Sequence, residues 1–137
     1  MTPRELCERY LAALNEGNVE RVLALFDANA VVVSPLYGRM PAERFYRDLF
    51  GDTKRSETTF VDLFESATGA IALQFHYRWT LASGKVVEFD CVDVFELNAD
   101  QSRFARLTII YDTAPLRAEF DAVRDARPGL SNGRGTQ

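Results

Sequence analysis

Asp93 sits where an ionised side chain is costly. From Lys85 to Leu97 the residues alternate, with Val87, Phe89, Cys91, Asp93, Phe95 and Leu97 on one side of an extended strand and Val86, Glu88, Asp90, Val92, Val94 and Glu96 on the other. One carboxyl group is therefore set into an apolar face. A carboxylate withdrawn from water needs hydrogen-bond donors or a cation, or else it keeps its proton at neutral pH. Perturbed carboxyls of this kind are enriched at functional sites, which makes Asp93 the first candidate for chemistry.

Few other residues compete. His76 is the single histidine, and it falls on a mixed strand face with Arg78, where a cross-strand pair with Asp90 accounts for it. Cys7 and Cys91 are far apart at apolar positions; the spacing leaves a disulfide open, and two buried free thiols fit the apolar setting better. With no second histidine and no ligand spacing between the cysteines, neither a metal nor another cofactor is expected. Gly133-Arg134-Gly135 follows no strand and opens no helix, so it is not a phosphate loop.

The chain has 137 residues, 47% of them hydrophobic and 26% charged, which fits one soluble domain able to bury its own core. Its 16 Lys and Arg against 20 Asp and Glu give a net charge of −4, and without a basic patch neither nucleic acid nor an anionic membrane is an expected partner. No apolar run approaches the roughly 20 residues that span a bilayer, and the start shows no signal-peptide pattern. A cytoplasmic location is the expectation.

The elements that must position Asp93 follow from periodicity. Leu6, Cys7, Tyr10, Leu11 and Leu14 describe an amphipathic helix ending near Gly17. Asn18 caps a second helix carrying Val19, Val22, Leu23, Leu25 and Phe26. Ala30 to Val33 reads as a short strand stopped by Pro35, and Pro41 opens a third helix with Phe45, Leu49 and Phe50 on one side. Residues 51–57 read as polar loop and 58–66 as a strand. The next strand is clearer, with Ile71, Leu73, Phe75, Tyr77, Trp79 and Leu81 on one face. Ala82-Ser83-Gly84 makes a tight hairpin, whose register sets Leu73 opposite Asp93, His76 opposite Asp90 and Arg78 opposite Glu88. A second hairpin brings in Leu107, Ile109 and Tyr111, with Leu107 expected opposite Asp93. Asp112 or Thr113 then caps a last helix with Pro115 in its first turn, through Leu116, Phe120 and Val123. Residues 1–127 are read as one domain and 128–137 as a flexible tail.

This order of helices followed by a long curved antiparallel sheet resembles the nuclear transport factor 2-like superfamily, an α+β, cone-shaped (cystatin-like) fold whose sheet wraps a pocket. The run Arg9 to Asn18, the run Ala24 to Pro35, and Asp90-Cys91-Val92-Asp93-Val94-Phe95 are similar to its SnoaL-like, ketosteroid isomerase-like branch. The resemblance implies that Tyr10 and Asp93 form an oxyanion hole, with the aspartic acid kept protonated by its apolar site. It also implies a homodimer. Its proton-shuttling carboxylate falls at Ser34, and a serine without an adjacent base does not shuttle a carbon-bound proton near neutral pH. Asp112 matches an aspartate of many SnoaL-like relatives, although helix capping explains it more simply.

The expectation is a pocket for a small hydrophobic ligand, with Tyr10 and Asp93 as catalytic pair and Leu14, Phe26, Ser34, Phe75, Phe89, Leu107, Ile109 and Tyr111 around the ligand. Three uses fit: an isomerase-like or cyclase-like enzyme on a carbonyl compound, a non-catalytic carrier of an apolar ligand, and a dimerising scaffold whose cavity its own side chains fill.

Overall fold

Residues 1–126 are described by a computed structural model; the expected tail lies outside them. Helix α1 spans Pro3–Glu16. Its start is fixed by a capping box, the Thr2 hydroxyl accepting from the Glu5 N–H while the Glu5 carboxylate accepts from the Thr2 N–H. Gly17, at φ 69°, ends it in a left-handed turn that a side chain would strain. Helix α2, Val19–Leu23, opens on Asn18, whose side chain accepts from the Arg21 N–H. It stops short of Phe26, which begins strand β1, Phe26–Ser34. The helical spacing of Leu25 and Phe26 is overridden by the sheet: the Leu25 carbonyl accepts from Phe104 N–H at 2.8 Å, and Phe26 pairs with Phe104.

A short β2, Gly38–Pro41, turns back along β1 and leads into α3, Ala42–Gly51. Strand β3 covers Thr53–Glu65, starting inside the stretch expected to be loop, because its polar residues pair with β4, Ile71–Leu81. Strands β5, Val86–Leu97, and β6, Phe104–Ile110, complete the sheet, and α4, Arg117–Ala126, follows. Pro115 precedes α4, and Asp112 makes a local turn by accepting from the Ala114 N–H.

The sheet runs β2-β1-β6-β5-β4-β3. It is mixed where an antiparallel one was expected, because β1 and β6 run parallel; the intervening chain is long enough to make that crossover. Register shifts in β3 between Thr53 and Arg55 and between Phe60 and Asp62 bend the sheet. Its concave face, alternating buried along the whole of β4, is covered by α1 and α3. The predicted β4–β5 register is found, with Leu73 opposite Asp93, His76 opposite Asp90 and Arg78 opposite Glu88. The β5–β6 register differs by one pleat: Ile109, not Leu107, lies opposite Asp93, and Leu107 faces Phe95. The turn closes on Asn98 and Arg103, which supplies one residue of the displacement, and a bulge between Glu96 and Leu97 supplies the other.

Candidate functional site

Asp93 is 1% exposed. Strand alternation turns it inward together with Cys91, whose thiol donates to Asp93 Oδ1 at 3.1 Å. Burial is the main influence on this carboxyl and raises its pKa from 3.8 to about 7, against the opposing pull of hydrogen bonds from Cys91 and Tyr10. The group thus stands near its midpoint at neutral pH.

Tyr10 reaches it from α1, on the stripe that also buries Leu6, Leu11 and Leu14. Its hydroxyl lies 2.8 Å from that of Tyr46 on α3, a fully buried residue. Burial pushes both phenols well above their ordinary range; Tyr46 and then Asp93 add to this for Tyr10, and Asp93 does so for Tyr46. Both remain protonated near pH 7, so the cluster offers neutral O–H donors beside a carboxyl that can itself be protonated.

Tyr10, Cys91 and Asp93 of this cluster line a cavity walled largely by aromatic rings, and Tyr46 stands behind them. Of the residues assigned from sequence, Leu14, Ser34, Phe75, Phe89, Ile109 and Tyr111 line it with Tyr10 and Asp93. Phe26 and Leu107 do not. Phe26 packs behind the site against Tyr46 and Phe104 at ring separations of 5.3 and 5.2 Å, and Leu107 is wholly buried in the core one pleat away. The lining also includes Tyr77, Trp79 and Cys91, which share faces with assigned residues and were legible by alternation, and Tyr37, Phe45 and Leu49, which were not. Tyr46, the nearest partner of Tyr10, had no signal beyond lying next to Phe45 on the third helix.

The cavity measures about 30 Å³ as space open to the centre of a water-sized sphere, room for about two waters. Phe89 and Tyr111 are half-buried and stack on each other at 4.3 Å. Ser34 is committed to structure: its Oγ accepts from the Leu36 and Tyr37 N–H groups, each at 3.2 Å, and so holds the turn after β1. Tyr37 in turn donates to Asp52 at 2.7 Å, and the Trp79 indole donates to Thr53 at 2.8 Å.

On the opposite face of the sheet His76 lies between Glu88 at 2.9 Å and Asp90 at 3.0 Å, away from the cavity. These two carboxylates, Glu88 first, raise its pKa. Cys7 and Cys91 are both free and buried. Among the described residues no group of three or more His, Cys, Asp or Glu side chains could hold a metal ion, and no helix is long and apolar enough to cross a membrane.

Helices packed on the inner face of a strongly bent sheet, with a buried tyrosine and aspartate at the end of an apolar cavity, define a pocket fold of the nuclear transport factor 2-like class. The model of the SnoaL-like domain family matches residues 7–106, and the chain belongs to that family. No curated protein matches the sequence. Among solved structures, a hypothetical protein with a ketosteroid isomerase-like fold from Catenulispora acidiphila, in complex with trimethylamine, superposes with a TM-score of 0.72 at 12% identity, over 88% of this chain and 95% of that one. TerC, co-crystallised with polyporic acid, gives 0.71 at 14%, over 86% and 97%. Bal32a, from a soil-derived mobile gene cassette, gives 0.70 at 22%, over 84% and 93%. At these identities the likeness carries the fold.

Proposed function

We propose that the chain holds a small hydrophobic carbonyl or phenolic compound with its oxygen against Tyr10 and Asp93, as an isomerase-like or cyclase-like enzyme. The observation that carries this reading is Asp93: a fully buried carboxyl raised to about 7, sharing one cavity wall with a Tyr10 hydroxyl already bonded to Tyr46. Below about pH 7, where Asp93 keeps its proton, two fixed donors in a water-poor site stabilise a developing oxyanion without reorganising when it forms. The neighbours bound to trimethylamine and to polyporic acid support a ligand-holding use of the fold.

Melting temperature with and without phenol tests the site. Phenol raises it by mass action in the wild type, and Tyr10→Phe with Asp93→Asn abolishes the rise; an undiminished rise removes both residues from the site. Trp79, the single tryptophan, lines the cavity, so its emission reports occupancy directly.

A non-catalytic carrier is the second reading, and Ser34 favours it. A hydroxyl already accepting two backbone N–H groups has no base beside it to activate it. Deuterium exchange at the carbon next to the carbonyl of a bound enone separates the two: exchange above the buffer rate supports catalysis, and none leaves a carrier.

The outer sheet face is proposed to pair with a second copy of the chain. There Val92 and Ile110 face each other across β5 and β6, next to the row Phe64, Ala72, Val94 and Thr108. Ile110 is 53% and Phe64 50% exposed, an apolar band suited to a two-fold contact. Ile110→Asp gives monomers in sedimentation equilibrium if this face is the interface, and an unchanged mass excludes it.

A further inference from the structure

Two spaces meet at the hydrogen bond between Tyr37 and Asp52. Tyr37 lines the cavity of about 30 Å³. Asp52 lines a surface groove of about 320 Å³ by the same measure, between the end of α3, the β4–β5 turn at Ala82 and Ser83, and Ala122 and Val123 of α4. The Tyr37 phenol donates to Asp52 across 2.7 Å, so this bond stands between chamber and groove.

The ring of Tyr37 is held from several sides. Asp52 is 1% exposed; its N–H bonds the Asp48 and Leu49 carbonyls, and its own carbonyl accepts from Ala82 at 2.8 Å. Phe45 and Phe120 stand edge-on to the Tyr37 ring at 5.3 and 4.7 Å. Phe120 also lies 6.4 Å from Trp79, another cavity wall.

Phe120 is completely buried, yet it belongs to α4. That helix is tied to the body by exposed polar contacts, Ser83 to Glu119 at 3.1 Å and Arg117 to the Pro35 carbonyl at 3.1 Å, each of small net worth in water. Residues 111–116, which lead into it, form neither helix nor strand. An outward swing of α4 thus breaks exposed contacts of this kind and draws out its two buried side chains, Val123 and, from behind Tyr37, Phe120. Water in the groove can then solvate Asp52 in place of the phenol.

We propose that Tyr37 is a gate between groove and cavity, latched by Asp52 and held shut by Phe120, and that it sets the size of the compound admitted. The inference rests on the cavity being the ligand site. With room for about two waters when closed, the chamber must widen a little for one ring and much further for two, and the groove under α4 is the larger space next to it.

Calorimetric titration with phenol and 2-naphthol tests this in the wild type, Phe120→Ala, Tyr37→Phe and Asp93→Asn, below about pH 7 where Asp93 is protonated. Phe120→Ala is expected to tighten 2-naphthol by about tenfold or more while phenol changes by less than about threefold. Tyr37→Phe keeps the ring and loses the latch, and it moves the naphthol-to-phenol ratio the same way by a smaller factor. It also carries the test if Phe120→Ala does not fold. The same ratio in the wild type and both gate variants overturns the proposal, and is the result that entry past Phe89 and Tyr111 would give. Phenol binding that is lost in Asp93→Asn, with the ratio unmoved, overturns the gate and leaves the site reading standing. No binding of either probe to any variant overturns both.

Discussion

Replacing Asp93 by asparagine should remove a large part of the pH dependence of folding. The Asp93 carboxyl titrates at about 7 in the folded chain against an ordinary 3.8, chiefly because burial disfavours its charged form. An acid with a raised folded pKa keeps its proton in the native state after the unfolded chain has released it. Over that interval the native state binds more protons, so stability falls as pH rises. A tenfold difference in proton affinity is worth about 1.4 kcal/mol. The contribution of Asp93 therefore declines by about 1.4 kcal/mol per pH unit from near 4 to near 7, about 4 kcal/mol altogether, and then levels off. An asparagine side chain in its place keeps the size and polarity of the protonated acid and cannot ionise.

Urea unfolding of both proteins at intervals between about pH 4 and pH 8 gives the answer as a difference. The subtraction matters because His76, whose pKa is raised, also loses its contribution as pH rises, in a window above 6.5. Glu5 and Asp100, whose pKa values are lowered, lose theirs as pH falls. All three lie at the surface, away from the cavity, and cancel between the two proteins. The wild type should lose stability relative to Asp93→Asn steadily up to about pH 7 and no further. A flat difference would mean that Asp93 is solvated or paired in solution, and a difference of opposite sign would mean that its carboxylate is stabilised. Either result refutes the reasoning that makes this residue a neutral donor.

Ser34→Ala strands one buried and one half-buried N–H group and should cost about 1–3 kcal/mol in urea unfolding, whereas Ser34→Asp, whose carboxylate can accept from the same amides, should keep most of that stability. Tyr46→Phe leaves the buried Tyr10 hydroxyl without its 2.8 Å partner and should cost about 1 kcal/mol by the same measurement. The His76 ring should titrate above 6.5 by NMR, and Glu88→Gln should lower its midpoint more than Asp90→Asn, because Glu88 is the stronger of the two influences. Thr2→Ala removes the α1 capping box and should lower stability by about 1 kcal/mol without affecting phenol binding.

How far the site could be read from sequence depended on how each wall residue is placed. Strands β4 and β5 alternate strictly and are joined by a tight turn with Gly84 at φ 93°. Face and register were therefore both legible, and Leu73, Phe75, Phe89 and Asp93 fell where expected. The β5–β6 connection folds on itself instead: Asn98 Oδ1 accepts from the Ser102 and Arg103 N–H groups, and Gln101 takes φ 60°. Asn98, not Leu97, therefore pairs with Arg103, and the bulge at Glu96 and Leu97 adds a second residue of slip, so that the pairing moves by a whole pleat. Such a slip changes the partner of a residue without turning its side chain to the other face. Ile109 and Tyr111 thus still line the cavity, while Leu107 lies outside it.

Residues brought in by helices and turns carried no such signal. Asp52 lies within a polar run and is buried because α3 ends there and Tyr37 supplies a donor. Tyr46 is one aromatic among several on the same helix. Alternation can therefore say which strand residues face inward, but it cannot say what meets them there. The pKa of Asp93 depends on that second fact, since it is set by the closeness with which Tyr10, Tyr46 and the aromatic wall exclude water. For the same reason a change at Phe120, distant from Asp93 in sequence, should lower the Asp93 pKa if it lets water into the cavity. Measuring the Asp93 carboxyl by ¹³C NMR in Phe120→Ala would detect this as a midpoint below that of the wild type, and an unmoved midpoint would show that α4 does not control water access to the acid.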